Sequence, residues 1–166
     1  MNVLHVVIGL VAVQRLGELV LAARNTRALI AAGGVELDAA SYPLFIVLHA
    51  AWLASLALFV PASAPLSWPL LVLFGSLQIG RIWVIASLGR YWTTRLIVLP
   101  DRPLVTGGPY RFLRHPNYLI VIAEIAVLPL AFGAIAIAVV FSAANLALIA
   151  RRIALEERAL APRRIA

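Results

Sequence analysis

The chain has 166 residues, of which 63% are hydrophobic and 13% are charged, and its mean hydropathy is +0.99. This composition excludes a disordered chain and argues against a soluble globular domain. The charged residues include 14 arginines and no lysine, against 7 acidic residues, for a formal net charge of +7. In so apolar a chain the arginines are expected to orient the protein in a membrane, and no nucleic-acid partner is expected. The absence of cysteine and the three scattered histidines predict no metal site.

The first half of the chain predicts three membrane-spanning helices. An apolar run over residues 3–23 is long enough to cross a hydrocarbon core of ~30 Å at ~1.5 Å per residue, and its polar second half argues against a secretory signal. The polar residues 24–41 predict a loop. Further spans are expected over about residues 42–60 and 69–88, joined by a tight proline-rich turn over residues 61–68.

Residues 89–117 differ in composition, because they are rich in aromatic residues, arginine, threonine, glycine and proline. We interpret them as an ordered interfacial segment, with a short β-branched piece and a small hairpin around residues 100–101. We expect the chemistry of the protein in this segment.

The last apolar run, residues 118–150, is too long for one span and is interrupted by Pro129 and Gly133. It predicts a helical hairpin with a short ascending piece of about 20 Å, so that its tip lies inside the bilayer and neighbouring helices satisfy the freed backbone groups. The hairpin returns the C-terminal arginines to the face of the interfacial ones, which we expect to be cytoplasmic, with the N-terminus outside. The arginines on this face are Arg24, Arg27, Arg90, Arg95, Arg102, Arg111, Arg114, Arg151, Arg152, Arg158, Arg163 and Arg164.

The densest polar motif is GPYRFLRHPNY over residues 108–118. Pro116 is suited to the first turn of a helix, so that the side chain of His115 lies beside the free N–H groups of that helix start. Such a start attracts an anion, and Arg111 and Arg114 add positive charge. The alternative interpretation is an ordinary basic loop beside the membrane.

A second cluster lies at the end of the last helix. Arg152 and Glu156 are four residues apart and could form a simple helical ion pair. Glu157 points about 100° away from Glu156 on a helix. Because the hairpin brings this cluster to the face of His115, the two sets together would suit a zwitterionic, ribose-bearing ligand.

Polar side chains also occur within the predicted spans, where transfer into the hydrocarbon core of the membrane costs free energy. Glu124 lies near the middle of the ascending piece, and Arg81 and Gln78 on the third span are candidate partners. Its role as a member of a buried ion pair and its role as a general base both stay open.

On the first helix, Gln14, Arg15 and Glu18 share one side at helical spacing, which indicates a structural ion pair. His5 and His49 are isolated, and we interpret both as packing residues.

Three segments together resemble the isoprenylcysteine carboxyl methyltransferase family: GRYWTT at residues 89–94, LVTGGPYRFLRHPNY at 104–118 and RIALEERAL at 152–160. The Arg-His-Pro-X-Tyr element alone is similar to elements of phospholipid methyltransferases and sterol reductases. A phospholipid N-methyltransferase, an NADPH-dependent membrane reductase and a non-catalytic scaffold are therefore the alternatives. The trailing Arg-X-X-X-Glu-Glu pattern favours the methyltransferases.

The resemblance implies an all-α integral membrane protein of about five transmembrane helices. It would be a single domain over residues 1–166, with a three-span part (1–88) and a cofactor-binding catalytic part (89–166). It implies S-adenosylmethionine as cofactor in a cytoplasmic-side pocket of a bacterial-type inner membrane. The substrate would be lipophilic and reach the site from the bilayer, as an isoprenylcysteine carboxylate or a lipidic polyketide hydroxyl.

The resemblance also implies roles for single residues. Arg152 would be a pocket arginine or would hold a substrate carboxylate. The chemistry of methyl transfer adds that Glu124 or His115 would act as a general base if the acceptor is a phenol or enol. The residues expected at the cofactor are Tyr110, Arg114, His115, Pro116, Tyr118, Glu156 and Glu157.

Overall fold

The computed structural model describes residues 2–99 and 105–161, and helices dominate this part of the chain. The helices are α1 (Val3–Ala31), α2 (Tyr42–Phe59), α3 (Trp68–Leu88), α4 (Pro116–Ala131) and α5 (Ile135–Leu160). In the described residues four helices are long and apolar enough to cross a membrane, and α4 is a shorter apolar helix. The helix α4 packs between α3 and α5, while α2 packs against α5 and α1. The predicted all-α membrane fold is confirmed.

The first helix is longer than predicted, because α1 continues to Ala31 through residues that the sequence predicted as a loop. Asn25 is buried there and donates hydrogen bonds to the carbonyl oxygens of Gly89 (3.1 Å) and Trp92 (2.7 Å). At the next residue of the same helix, the hydroxyl groups of Thr26 and Thr93 lie 2.7 Å apart. For residues 24–31 the loop prediction was wrong, because these polar side chains bind the interfacial segment instead of ending the helix.

Two short strands form a small antiparallel sheet, β1 (Val35–Leu37) and β2 (Leu96–Val98). The β-branched piece of the interfacial segment therefore pairs with the connection after α1. Beside the sheet, Arg95 Nη1 lies 2.7 Å from Glu36 Oε1. The predicted hairpin around residues 100–101 lies outside the described residues.

The predicted hairpin at the C-terminal end is formed by α4 and α5. Gly133 at its tip has a positive φ of 69°, a conformation that a glycine adopts without strain. The carbonyl oxygen of Ala131 accepts a hydrogen bond from Ser67 N at 2.8 Å, so that a neighbouring segment satisfies a freed backbone group, as predicted. With 16 residues, α4 is about 24 Å long and is shorter than a full crossing.

Contacts made by the segments outside the helices show which of these segments lie together at each end of the helix bundle. At one end Asn2 Nδ2 donates to the carbonyl oxygen of Ala62 at 3.1 Å, close to the proline-rich turn. At the other end Arg151 Nη2 donates to Asp38 Oδ1 at 2.9 Å, which joins the end of α5 to the connection before α2. The interfacial segment and the start of α4 lie at this second end, as the hairpin predicts. Of the arginines assigned to this face, Arg102, Arg163 and Arg164 lie outside the described residues.

The interior and the outer surface are both apolar. Trp52, Leu56, Ile125 and Leu128 are completely buried where α2, α4 and α5 meet. Many side chains that point outward are also apolar; Leu58, for example, is 77% exposed. An apolar outer surface of this kind faces lipid, and the protein is an integral membrane protein.

Candidate active site

The interfacial segment enters the site through a turn that requires glycine. Gly108 has a positive φ of 58°, and a side chain there would overlap Ser87 near the end of α3. The short 3-10 helix that follows, Gly108–Arg111, carries Tyr110 to the wall of a cavity. Burial, followed by the negative charge of Glu156, raises the pKa of the Tyr110 phenol above its ordinary value. The phenol is therefore a neutral donor at neutral pH.

The start of α4 brings together the predicted His115, Tyr118 and the two glutamates of α5. Pro116 is the first residue of α4, as predicted, and His115 precedes it. The rings of His115 and Tyr118 stack with centroids 5.4 Å apart. His115 Nε2 donates to Glu157 Oε1 at 2.7 Å, and the Tyr118 hydroxyl donates to Glu156 Oε2 at 2.7 Å.

Within the described residues, Arg152 does not form the helical ion pair with Glu156 that their spacing predicts. In the part of the chain that the structure describes it forms no ion pair with Glu156, because the Tyr118 hydroxyl lies between the two and accepts from Arg152 Nε at 3.1 Å. Arg152 Nη2 donates to the carbonyl oxygen of Thr94 at 2.8 Å, and its guanidinium lies 5.1 Å from the ring centre of Phe45 on α2. Its Nη1 has no hydrogen-bond partner among the described residues, so the arginine keeps a donor for a ligand.

These groups surround one end of a cavity of about 670 Å³. A cavity of this size is typical of a small-molecule site. The polar residues at this end of its wall include Tyr110, Arg114, His115, Asn117, Tyr118, Arg152 and Glu156. Pro116, Glu124 and Glu157 do not line the cavity; Glu157 instead contacts it indirectly, through the ring of His115.

Asn117 was not among the predicted site residues, yet it lies on the cavity wall with a buried Oδ1 that has no hydrogen-bond partner in residues 2–99 and 105–161. A buried carbonyl oxygen without a partner is a costly feature that a ligand donor can satisfy. The position of Asn117 inside the Arg-His-Pro-X-Tyr motif, two residues after His115, is the signal that could have identified it.

The cavity continues away from these polar groups as an apolar limb between α1 and α2. We define the apolar limb by its wall residues Ala12, Leu16, Ile46, Ala50 and Leu53. Leu16 is 63% exposed and Ile46 is 40% exposed, which places the limb at the lipid-facing surface. The site therefore joins a polar end and a hydrophobic limb in one space, and residues of α1 and α2 contribute to it as well as the segment after residue 88.

A buried ion cluster connects α1, α3 and α4 beside this limb. Glu124 Oε2 lies 2.7 Å from Arg15 Nη2 and 3.3 Å from Arg81 Nη1, and Gln78 donates to Glu124 Oε1 at 2.8 Å. Glu18 accepts from Arg81 Nε (2.6 Å) and Nη2 (2.7 Å) and from Arg15 Nη1 (2.9 Å). Arg81 and Gln78 are thus the partners predicted for Glu124, and the predicted pair on α1 belongs to the same cluster.

The fold and this cavity define a helical membrane protein with one site that is polar at the membrane face and apolar toward the lipid. Residues 70–162 match the isoprenylcysteine carboxyl methyltransferase (ICMT) family. The chain is also 36% identical over 157 residues to the uncharacterized protein YpbQ of Bacillus subtilis strain 168, covering 92% of this chain and 94% of that protein. No solved structure gave a significant match. The chain belongs to the ICMT family and is a membrane methyltransferase.

Proposed function

We propose that the protein transfers a methyl group from S-adenosylmethionine to an oxygen atom of a lipophilic acceptor that reaches the site from the bilayer. The observation that carries this proposal is a cavity in which a polar end and an apolar limb are continuous. A water-soluble cofactor and a lipid-soluble acceptor need these two environments side by side. The membrane methyltransferase class of the family fits both requirements.

The donor set at the polar end fits this cofactor. The guanidinium of Arg114 on the cavity wall suits the carboxylate of the cofactor, while Glu156 and Asn117 Oδ1, which has no partner among the described residues, suit its ammonium or ribose hydroxyl groups. The faces of Tyr118 and His115 offer an aromatic surface, which favours a nearby cation. Bound there, S-adenosylmethionine would supply an electrophilic methyl group on a sulfonium.

Arg152 would hold the acceptor. Its guanidinium is fixed by Tyr118, Thr94 and Phe45 at the junction of α2 and α5, and its Nη1, which no described residue binds, can donate to an acceptor oxygen. Such fixed positioning supplies much of the rate in a transfer that needs in-line geometry. An ionised carboxylate would need no base, whereas a phenol or enol would gain from one.

His115 and Glu124 differ as candidate bases. His115 lies on the cavity wall, and Glu157 fixes its ring, so its position supports a proton-accepting or binding role. Glu124 accepts three hydrogen bonds inside the ion cluster and is 1% exposed, which supports a role in positioning α1, α3 and α4.

We also infer that the polar end faces the cytoplasm and that the N-terminus lies outside. The support is the group of arginines at that end, which follows the positive-inside tendency. A cofactor made in the cytoplasm would then reach the site directly.

Calorimetry with S-adenosylmethionine and NADPH, on the protein in lipid nanodiscs, tests the proposal. We expect binding of S-adenosylmethionine and none of NADPH, since a membrane reductase would give the reverse result and a scaffold would bind neither. Glu156→Gln should weaken binding about tenfold, whereas the control Arg158→Gln, at an exposed position of the same helix, should not change it. Transfer of labelled methyl to a lipid extract then shows the acceptor, and label on an amine headgroup would indicate a phospholipid N-methyltransferase instead.

A further inference from the structure

His49 lies on α2 one turn beyond Phe45, the residue whose ring contacts Arg152. Its Nδ1 lies 2.8 Å from the carbonyl oxygen of Phe45. A carbonyl oxygen only accepts hydrogen bonds, so Nδ1 must carry the proton, and Nε2 of the neutral ring is then an acceptor. The contact thus fixes the tautomer of the ring.

The Nε2 atom of His49 has no hydrogen-bond partner in the described part of the chain, and the residue lies on the wall of the cavity beside the apolar limb. The sequence prediction of a packing role for His49 is therefore incomplete. An acceptor in an apolar environment needs a donor, and the limb is the place from which a ligand can offer one.

The charged residues around His49 indicate whether a ligand group that donates to Nε2 would be charged or neutral. The wall near His49 also includes Arg15, Glu18 and Arg81. All three guanidinium nitrogens of Arg81 are bound to Glu18 or Glu124, and both Nη atoms of Arg15 are bound to the same carboxylates. Two guanidinium groups and two carboxylates balance, so this region offers no uncompensated charge to an ionic ligand.

We propose that His49 forms a hydroxyl-binding subsite in which Nε2 accepts a hydrogen bond from a neutral hydroxyl group of the lipophilic acceptor. The inference rests on the proposed function for the identity of the ligand as the acceptor. The subsite lies outside residues 70–162, which match the family, so it distinguishes acceptors separately from the matched segment. It predicts a preference for hydroxylated lipids over wholly apolar tails.

Two matched probes test the subsite, para-nonylphenol and para-nonylanisole, in which a methyl group replaces the donor hydrogen of the phenol. The full chain carries isotope-labelled histidine in nanodiscs and is observed by nitrogen NMR without any cofactor. We expect nonylphenol to shift the Nε2 resonance of His49 upfield and nonylanisole to leave it in place. Equal shifts with both probes, or no shift with either, would overturn the subsite, and this comparison requires no variant.

Variants provide a second measurement. His49→Leu should bind nonylphenol about fivefold to tenfold more weakly and nonylanisole unchanged, whereas His49→Gln, which keeps an acceptor, should recover most of the affinity. Unchanged nonylphenol affinity in His49→Leu would contradict the subsite. If the hydroxyl-dependent shift occurs but S-adenosylmethionine does not bind, the subsite stands and the proposed methyl donor is wrong.

Discussion

The Tyr118 hydroxyl donates to Glu156 at 2.7 Å and at the same time accepts from Arg152 at 3.1 Å. One phenol thus separates a cation from an anion that could otherwise pair directly along α5. The arrangement keeps Arg152 turned toward α2 and Glu156 toward the start of α4. These are the directions in which an acceptor and a cofactor would have to lie.

Tyr118→Phe should therefore weaken S-adenosylmethionine binding about tenfold, because a hydrogen bond to a charged group is lost and Arg152 is free to pair with Glu156. Calorimetry measures the change. Tyr91→Phe is the control for loss of a phenol elsewhere on the same cavity wall, since the Tyr91 hydroxyl is hydrogen-bonded only to the exposed Arg90 among the described residues. Equal affinities for the wild type and Tyr118→Phe would show that the phenol does not organise the site.

Glu124→Gln should lower the free energy of unfolding by about 3 kcal/mol, because it leaves the buried Arg81 and the partly buried Arg15 with less compensating charge. Glu36→Gln, which breaks the more exposed pair with Arg95, should cost less than about 1 kcal/mol. Unfolding in detergent micelles measures both.

The same Glu124→Gln variant separates the two roles of this carboxylate. A large loss of turnover on a phenol or enol with unchanged cofactor affinity is the result expected of a general base. Parallel losses of turnover and cofactor affinity would exclude that role and agree with a positioning one.

Tyr110 should resist ionisation. Its pKa is raised by burial and by the charge of Glu156, so part of the phenolate absorbance should appear only well above pH ~10, and this part should be smaller in Tyr110→Phe. Because the folded protein holds this proton more tightly than the unfolded chain, the contribution to stability is complete below pH ~10 and is lost as the pH rises further. A Tyr110→Phe variant with an identical titration curve would refute this assignment.

Gly108→Ala should destabilise the protein by more than about 1 kcal/mol, since a left-handed conformation alone costs an alanine about 1–2 kcal/mol. The added overlap with Ser87 should be relieved in the double variant with Ser87→Gly, which leaves the conformational cost. Gly107→Ala is the matched control, because Gly107 has a φ of −84° and open space around it. Thermal unfolding should rank Gly108→Ala lowest, and a wild-type melting temperature would contradict the predicted strain.

The membrane helices and the hairpin follow from the sequence, because runs of apolar residues and their breakers at Pro129 and Gly133 are local signals. The pairing of β1 with β2 does not, since three-residue strands far apart in the chain carry no periodicity. The extension of α1 was missed for a related reason. Asn25 looks like a loop residue until the carbonyl groups that it binds are known.

In the site, too, local sequence signals predicted some features, while others depend on contacts between distant residues. Motif and spacing identified His115, Tyr118 and the two glutamates, which the structure brings together. A direct pair between Arg152 and Glu156 was the simplest local expectation, and a residue from another helix replaced it. His49 could not be identified from the sequence, because a single histidine in an apolar helix has the same pattern whether it packs or binds.

Both ends of α4 are attached, one to the proline-rich turn through Ala131 and the other to α5 through Tyr118 and His115. Its 16 residues therefore hold the two attachments about 24 Å apart. The number of residues in α4 thus sets the distance between the polar end of the cavity, at His115 and Tyr118, and the proline-rich turn near the other side of the membrane. A bilayer that is thicker or thinner must then deform around the protein, since the site cannot move to follow it.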